Sequence, residues 1–300
     1  MVTLEMKKNI KNFSFLLSVL LLYLVFMLGD SGAVLLGNNQ HTTVIGAIWN
    51  KFHGNWQVCS DASCLVRMYH LWTDNAYLPV LMPFLCGLPG AMVYLDEIHT
   101  GNKKWILSRC SFRQYYSAKI VANAVSAVLV SALAVALYYA TLLLFFDKLP
   151  FSHEEFPMIY SVLTGEWIED VSAFSAYAIC GALLKNLLYF FLYSVMSASI
   201  CLWIAVWCRE KYTVFGLAVF LSYLPCRISE ELVRKYVDKG NELFGNIADI
   251  IDPIFLYYAG KSGIYGDKEW LALGITASII AFNYGLAVLL SRKYYDVSER

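Results

Sequence analysis

The chain has 300 residues, of which 59% are hydrophobic and 15% charged, and its 23 basic and 23 acidic residues cancel. So apolar a composition excludes an ordinary soluble globular domain, and the absence of a basic excess gives no basis for nucleic-acid binding. The bilayer is the expected solvent, and the placement of charge along the chain then governs topology.

A spanning helix needs about 20 largely apolar residues, and six stretches qualify, at 13–36, 76–95, 120–146, 173–208, 212–226 and 270–290. The first follows Lys7, Lys8 and Lys11, the outline of a signal peptide, but its apolar run is long and no small-x-small cleavage site follows. It reads as a retained span with Asp30 near its far end. The loop at 37–75 carries Trp49, Trp56 and Trp72 together with Cys59 and Cys64. That cysteine pair fits either an intraloop disulfide or two separate thiols. Cys86, Cys180, Cys201 and Cys208 fall in apolar runs and are expected to pack as small hydrophobes. The second span holds Pro79, Pro83, Gly87, Pro89 and Gly90, breakers that lipid-embedded helices tolerate where neighbours satisfy the freed backbone groups.

Between the second and third spans, residues 96–119 form a short, basic, aromatic-bearing segment. Gly101 is placed to end the preceding helix, and Ser111-Phe-Arg-Gln114 has capping-box spacing that starts the next one near Phe112. A short surface helix at 102–108 is left between them. Trp105, Ile106 and Leu107 cannot all face lipid, so the segment is read either as a partner-docking element or as an interfacial loop anchored by Trp105 and positive charge.

The third span is free of charge, and Ala122, Ala124, Ser126 and Ala127 give it a surface for close helix packing. Lys185 lies in the fourth, where it either snorkels to the outer interface or pairs with Asp30. The fifth is short and is expected to stop at Pro225. An amphipathic helix should follow, with Ile228, Leu232 and Tyr236 on one side and Glu230, Glu231, Arg234 and Lys235 on the other. Residues 227–269 as a whole read as helices re-entering the outer leaflet. The sixth span ends at Arg292 and Lys293.

Six spans put both termini on one side. On that side fall Lys7, Lys8, Lys11, Lys103, Lys104, Arg109, Arg113, Lys119, Arg209, Lys211, Arg292, Lys293 and Arg300. Only Glu5, Asp96, Glu97, Glu210, Asp296 and Glu299 oppose them, which makes that face cytoplasmic by the positive-inside rule.

Enzymatic chemistry finds no constellation in the sequence. Gly260-Lys261-Ser262 has Phe255 where the leading glycine of a phosphate-binding loop belongs. Glu230, Glu231 and Arg234 approach the Glu-Glu-x-x-x-Arg signature of membrane-embedded proteases, but the arginine is one position early and a solvated helix face explains them. His41, His53, His70, His99 and His153 all lie outside the expected spans and can build no metal or base site within the bilayer. Any use of ATP and magnesium therefore belongs to a separate chain.

With these residues in place, the chain resembles the permease subunits of ABC-2 type ATP-binding cassette exporters. The resemblance rests on six spans, the Glu97, Thr100-Gly101, Trp105-Ile106-Leu107, Ser108–Ser111, Arg113 and Tyr115-x-x-x-Lys119 series, and the 227–269 region. It implies an all-α polytopic fold in the cell membrane with a cytoplasmic coupling helix and extracellular re-entrant helices. It also implies a single transmembrane domain over 1–300, a second permease subunit, and a cargo such as a peptide, a drug-like amphiphile or a lipid-linked molecule. The ATPase subunit would dock through Glu97, Gly101, Lys103, Lys104, Trp105, Ile106, Leu107, Arg109 and Arg113. Two other readings stay open: a non-transporting membrane component of a sensing or immunity complex, and an intramembrane hydrolase.

Overall fold

The computed structural model describes residues 1–29, 34–35, 41–53, 77–146, 176–236, 247 and 269–298. In chain order the elements are α1 (Val2–Lys11), α2 (Phe13–Gly29), β1 (Val34–Leu35), β2 (His41–Thr42), α3 (Val44–Phe52), α4 (Leu78–His99) and α5 (Asn102–Leu107). They continue with α6 (Phe112–Phe145), α7 (Ala176–Cys208), α8 (Lys211–Tyr236) and α9 (Glu269–Ser298). The two short strands pair antiparallel, Val34 opposite Thr42, and everything else in this order is helical.

Five helices, α4 and α6 to α9, are long and apolar enough to cross a membrane, which makes the chain a multi-pass membrane protein by length and composition. Helix α2 reaches only 17 residues. It passes the same test when joined to α1, from which it is bent by 62°. The bend falls at Asn12, whose backbone is extended and whose Oδ1 accepts hydrogen bonds from the Ser14 N–H (3.1 Å) and hydroxyl (3.2 Å). Asn12 thus stops one helix and caps the next.

Two expected boundaries are corrected. The first span was drawn to residue 36, but its helix ends at Gly29 and Val34–Leu35 is strand, as the Gly29-Asp-Ser-Gly run in the sequence should have signalled. The fifth was expected to stop at Pro225, yet α8 continues through that proline to Tyr236. A missing N–H costs less where the residues beyond it favour helix. Beyond the proline Arg227–Glu230 (2.6 Å) and Arg234–Glu231 (2.8 Å) pair across one turn, each adding a few tenths of a kcal/mol to the extension. The remainder of the expected re-entrant region, at 237–246 and 248–268, lies outside the described residues.

Helix α7 is the hub, packing on α4, α6, α8 and α9, and α4 is the most enclosed span, with 78% of its apolar window buried against 22% for α9. Helices in lipid gain little from apolar contact alone, so close approach and interhelical hydrogen bonds must hold them together. Both are present. A Cβ added to Gly87 would lie 2.4 Å from the Cys201 Cβ, and one added to Gly90 would lie 2.1 Å from the Asn123 Oδ1. Asn123 Nδ2 donates to the Ala198 carbonyl and the Tyr284 hydroxyl, both at 3.2 Å, and Asn283 Nδ2 donates to Ser199 Oγ at 2.9 Å. Pro83 leaves the carbonyl of Pro79 without its helical donor, and the Tyr193 hydroxyl supplies one at 3.2 Å.

Two changes separate close packing from mere helix content. Gly87→Ala should lower stability by about 1–3 kcal/mol through overpacking. Gly216→Ala, an exposed helix position whose new Cβ meets nothing within 4 Å, should instead raise stability by about 0.5–1 kcal/mol through helix propensity. Thermal unfolding in detergent reads both, and equal effects would refute the packing assigned to α4 against α7.

Candidate functional site

The segment between α4 and α6 adopts the form its residues predict. Gly101 sits at φ 73°, a left-handed conformation that glycine adopts without penalty, and it turns the chain from α4 into α5. Ser111 accepts from the Gln114 N–H and the Gln114 side chain accepts from the Ser111 N–H, both at 3.3 Å, a complete capping box that starts α6 at Phe112.

Not all the residues expected on a docking surface are on one. Trp105 is 69% exposed, and Lys104, Arg109 and Arg113 are exposed beside it. Ile106 and Leu107 are instead partly buried against the chain's own core, with Tyr94, Tyr115 and Val206 among its members. Lys103 folds back as well. Its Nζ donates to the Tyr94 hydroxyl at 3.3 Å and lies 5.4 and 5.6 Å from the centres of the Tyr94 and Tyr116 rings. Since cations gain from aromatic faces when partly desolvated, Lys103 staples α5 onto α4 and α6.

Glu97 departs furthest from expectation, because it is buried at 6% exposure and offers nothing to a partner. It stands in a closed square of alternating charges with two residues of α1 and one of α6. Lys8 bridges Glu5 Oε1 (2.8 Å) and Glu97 Oε1 (2.7 Å), while Lys119 bridges Glu97 Oε2 (2.8 Å) and Glu5 Oε2. The Tyr115 hydroxyl donates to Glu97 Oε2 at 2.8 Å. Beside the square, Asn9 Nδ2 donates to the Ala122 carbonyl (3.2 Å) and Ser126 Oγ (3.3 Å), which fastens α1 along α6. Glu5 and Lys119 are buried and the Lys8 side chain is one-third exposed. The two charges of each sign cancel within the cluster, the condition under which buried ions are tolerated.

The square's edge opens on a notch of about 330 Å³ lined by Lys8, Val93, Asp96, Thr100, Trp105 and Ile106 among others. At its rim Asp96 pairs with Lys211 at 2.7 Å, tying the last turn of α4 to the start of α8.

Sequence reading missed Glu5 and Lys8 as structural residues and used Lys119 in the topology count and the motif without giving it a buried partner. One signal was available. Tyr115, Lys119, Ala122, Asn123 and Ser126 recur at helical spacing, a stripe of polar and small residues on an otherwise apolar helix.

Of the other candidates, Lys185 lies two residues inside the apolar part of α7 and is partly exposed. Asp30, Cys59 and Cys64 lie outside the described residues. Cys86 and Cys201 are buried as expected, but Cys180 is exposed. Glu230, Glu231 and Arg234 are exposed along α8 and engaged in ion pairs with neighbours on the same helix, the arrangement of a solvated face. Among the described residues no three potential metal ligands converge.

Removing one corner leaves a buried charge uncompensated, so Glu97→Gln should cost about 3–5 kcal/mol, measured by thermal unfolding in detergent. Lys8→Met should cost less, because water reaches Lys8 and screens what remains. No protein-family model matches this chain, and no curated protein matches it either.

Proposed function

We propose that the chain is the membrane-spanning permease subunit of an ATP-driven exporter of the ABC-2 type. A separate cytoplasmic ATPase would bind and hydrolyse ATP with magnesium, and a second permease subunit, identical or related, would complete the pathway. The observation that carries the reading is α5: a six-residue helix held out between two long apolar helices, with a tryptophan 69% exposed at its centre. An indole left so open on a segment this firmly anchored suits a protein interface, where tryptophan and arginine dominate binding energy.

The docking surface in this reading is smaller than the motif. Trp105 is the anchor, Lys104, Arg109 and Arg113 add positive charge on the exposed side, and Lys103, Ile106 and Leu107 hold the helix from behind, while Glu97 belongs to the buried square. Force applied to α5 reaches α4 through the Gly101 turn and α6 through the Ser111 cap. In this reading α5 and both termini face the cytoplasm, which the excess of basic residues on that side supports, and transport runs outward across the cell membrane. The cargo class suggested is a peptide, a drug-like amphiphile or a lipid-linked molecule, since tyrosine and phenylalanine are spread through several spans.

Affinity purification of the chain from its native membrane tests the proposal. A P-loop ATPase should co-purify, and Trp105→Glu should weaken its association about thirtyfold or more, as expected for an anchor contributing at least ~2 kcal/mol. Recovery of the chain with no ATPase would refute the transporter reading. Unchanged association of the Trp105→Glu variant would refute docking through α5.

A further inference from the structure

Helix α1 is built inside out. Its inward face is Glu5 and Asn9, both buried, with the partly buried Lys8 beside them at helical spacing, whereas Leu4 (57%) and Ile10 (41%) are exposed. An ordinary surface helix buries the opposite set. The polar face of α1 packs on the last turn of α4, at Glu97, and on the first turns of α6, at Lys119, Ala122 and Ser126. Those two helix ends are also the two posts from which α5 hangs.

We propose that α1 is a charge-latched strap across these posts, and that Glu5 and Lys8 are positioning residues for Trp105. The geometry supports a latch more than a simple anchor. Each carboxylate of the square gives one oxygen to each lysine, so α1 touches both posts at once: Lys8 reaches α4 and Glu5 reaches α6. Displacing α1 therefore breaks two ion pairs together and shifts the Glu97 carboxylate, to which Tyr115 also donates. Lys8 further lines the same notch as Trp105 and Ile106, so the strap and the helix whose position it fixes border one cavity. The inference draws on the proposed docking role only for what the position of Trp105 serves.

The alternating charges permit a test that spares the fold. In the double variant Glu5→Lys with Lys8→Glu, the pair within α1 and the Glu97–Lys119 pair both survive. The two contacts between α1 and the posts become Glu facing Glu and Lys facing Lys. Adding Glu97→Lys and Lys119→Glu inverts the whole square and restores all four ion pairs, at the loss of the acceptor for Tyr115. Hydrogen–deuterium exchange on the full chain in lipid nanodiscs, without any partner, reads backbone opening in residues 2–11 and 100–108. The double variant should exchange about tenfold faster or more in both segments, since like charges in contact cost several kcal/mol. The fourfold variant should return both to the parent rate.

Fast exchange in residues 2–11 with an unchanged rate in 100–108 would make α1 an anchor only and overturn the proposal. So would failure of the fourfold variant to restore the rates, because the link would then not be electrostatic. Should the double variant not insert, Glu5→Gln is measured in the same way. It removes the α1 contact to Lys119 and leaves Glu97–Lys119 in place, and a parent rate in 100–108 would again overturn the strap. Because no ATPase is present, these outcomes stand whether or not docking through Trp105 holds.

Discussion

The square formed by Glu5, Lys8, Glu97 and Lys119 is the constraint around which one end of the bundle is arranged. Burying a single carboxylate or ammonium costs several kcal/mol even after relaxation, and one pair often fails to recover it. Four charges in alternation do better, because every ion has two opposite neighbours and the cluster carries no net field into the lipid. Such an arrangement also accepts few alternatives. Moving any one element by a helical turn would leave at least one charge facing apolar surface, so α1, the last turn of α4 and the first turns of α6 must take their positions together.

Away from that end, smaller polar contacts of the same kind fix the spans. Asn123 reaches both α7 and α9, Ser131 donates to Ser194 Oγ at 3.2 Å, and the Tyr193 hydroxyl meets the carbonyl that Pro83 leaves free. Each is worth little alone in a membrane, of the order of 1 kcal/mol. Their value is directional. The glycines of α4 bring its backbone against Cys201 and Asn123, and the hydrogen bonds then select one rotation of each helix among the many that apolar packing would allow.

The features legible in the sequence were local ones. Apolar run length located five of the spans, Gly101 marked the turn, and Ser111 with Gln114 marked the restart of α6 to the residue. The square was not legible, because Lys8 and Glu97 are 89 positions apart and nothing in either neighbourhood names the other. Counting all four residues as surface charge left the topology argument unharmed, since two of each sign drop out together. It misplaced Glu97, however, which local pattern put on a docking face and tertiary pairing withdrew into the core. The stop at Pro225 failed against a strong local rule: α8 runs through the proline, and the exposed ion pairs one turn beyond it, worth a few tenths of a kcal/mol each, do not account for a cost of about 3 kcal/mol.

A six-residue helix cannot stand by its own hydrogen bonds, since nucleation alone exceeds what one or two of them return. The direction of α5 must therefore be a property of its supports. Gly101 gives it a sharp turn, Lys103 fixes it on the Tyr94 and Tyr116 rings, and Ile106 and Leu107 seat it on the core, while Trp105 stays exposed at the edge of the notch. The helices that frame it, α4 and α6, also pack on α7, so the placement of α5 follows from the packing of the bundle. The burial of Glu97 and the partial burial of Lys103, Ile106 and Leu107 leave Trp105 as the exposed apolar residue of α5.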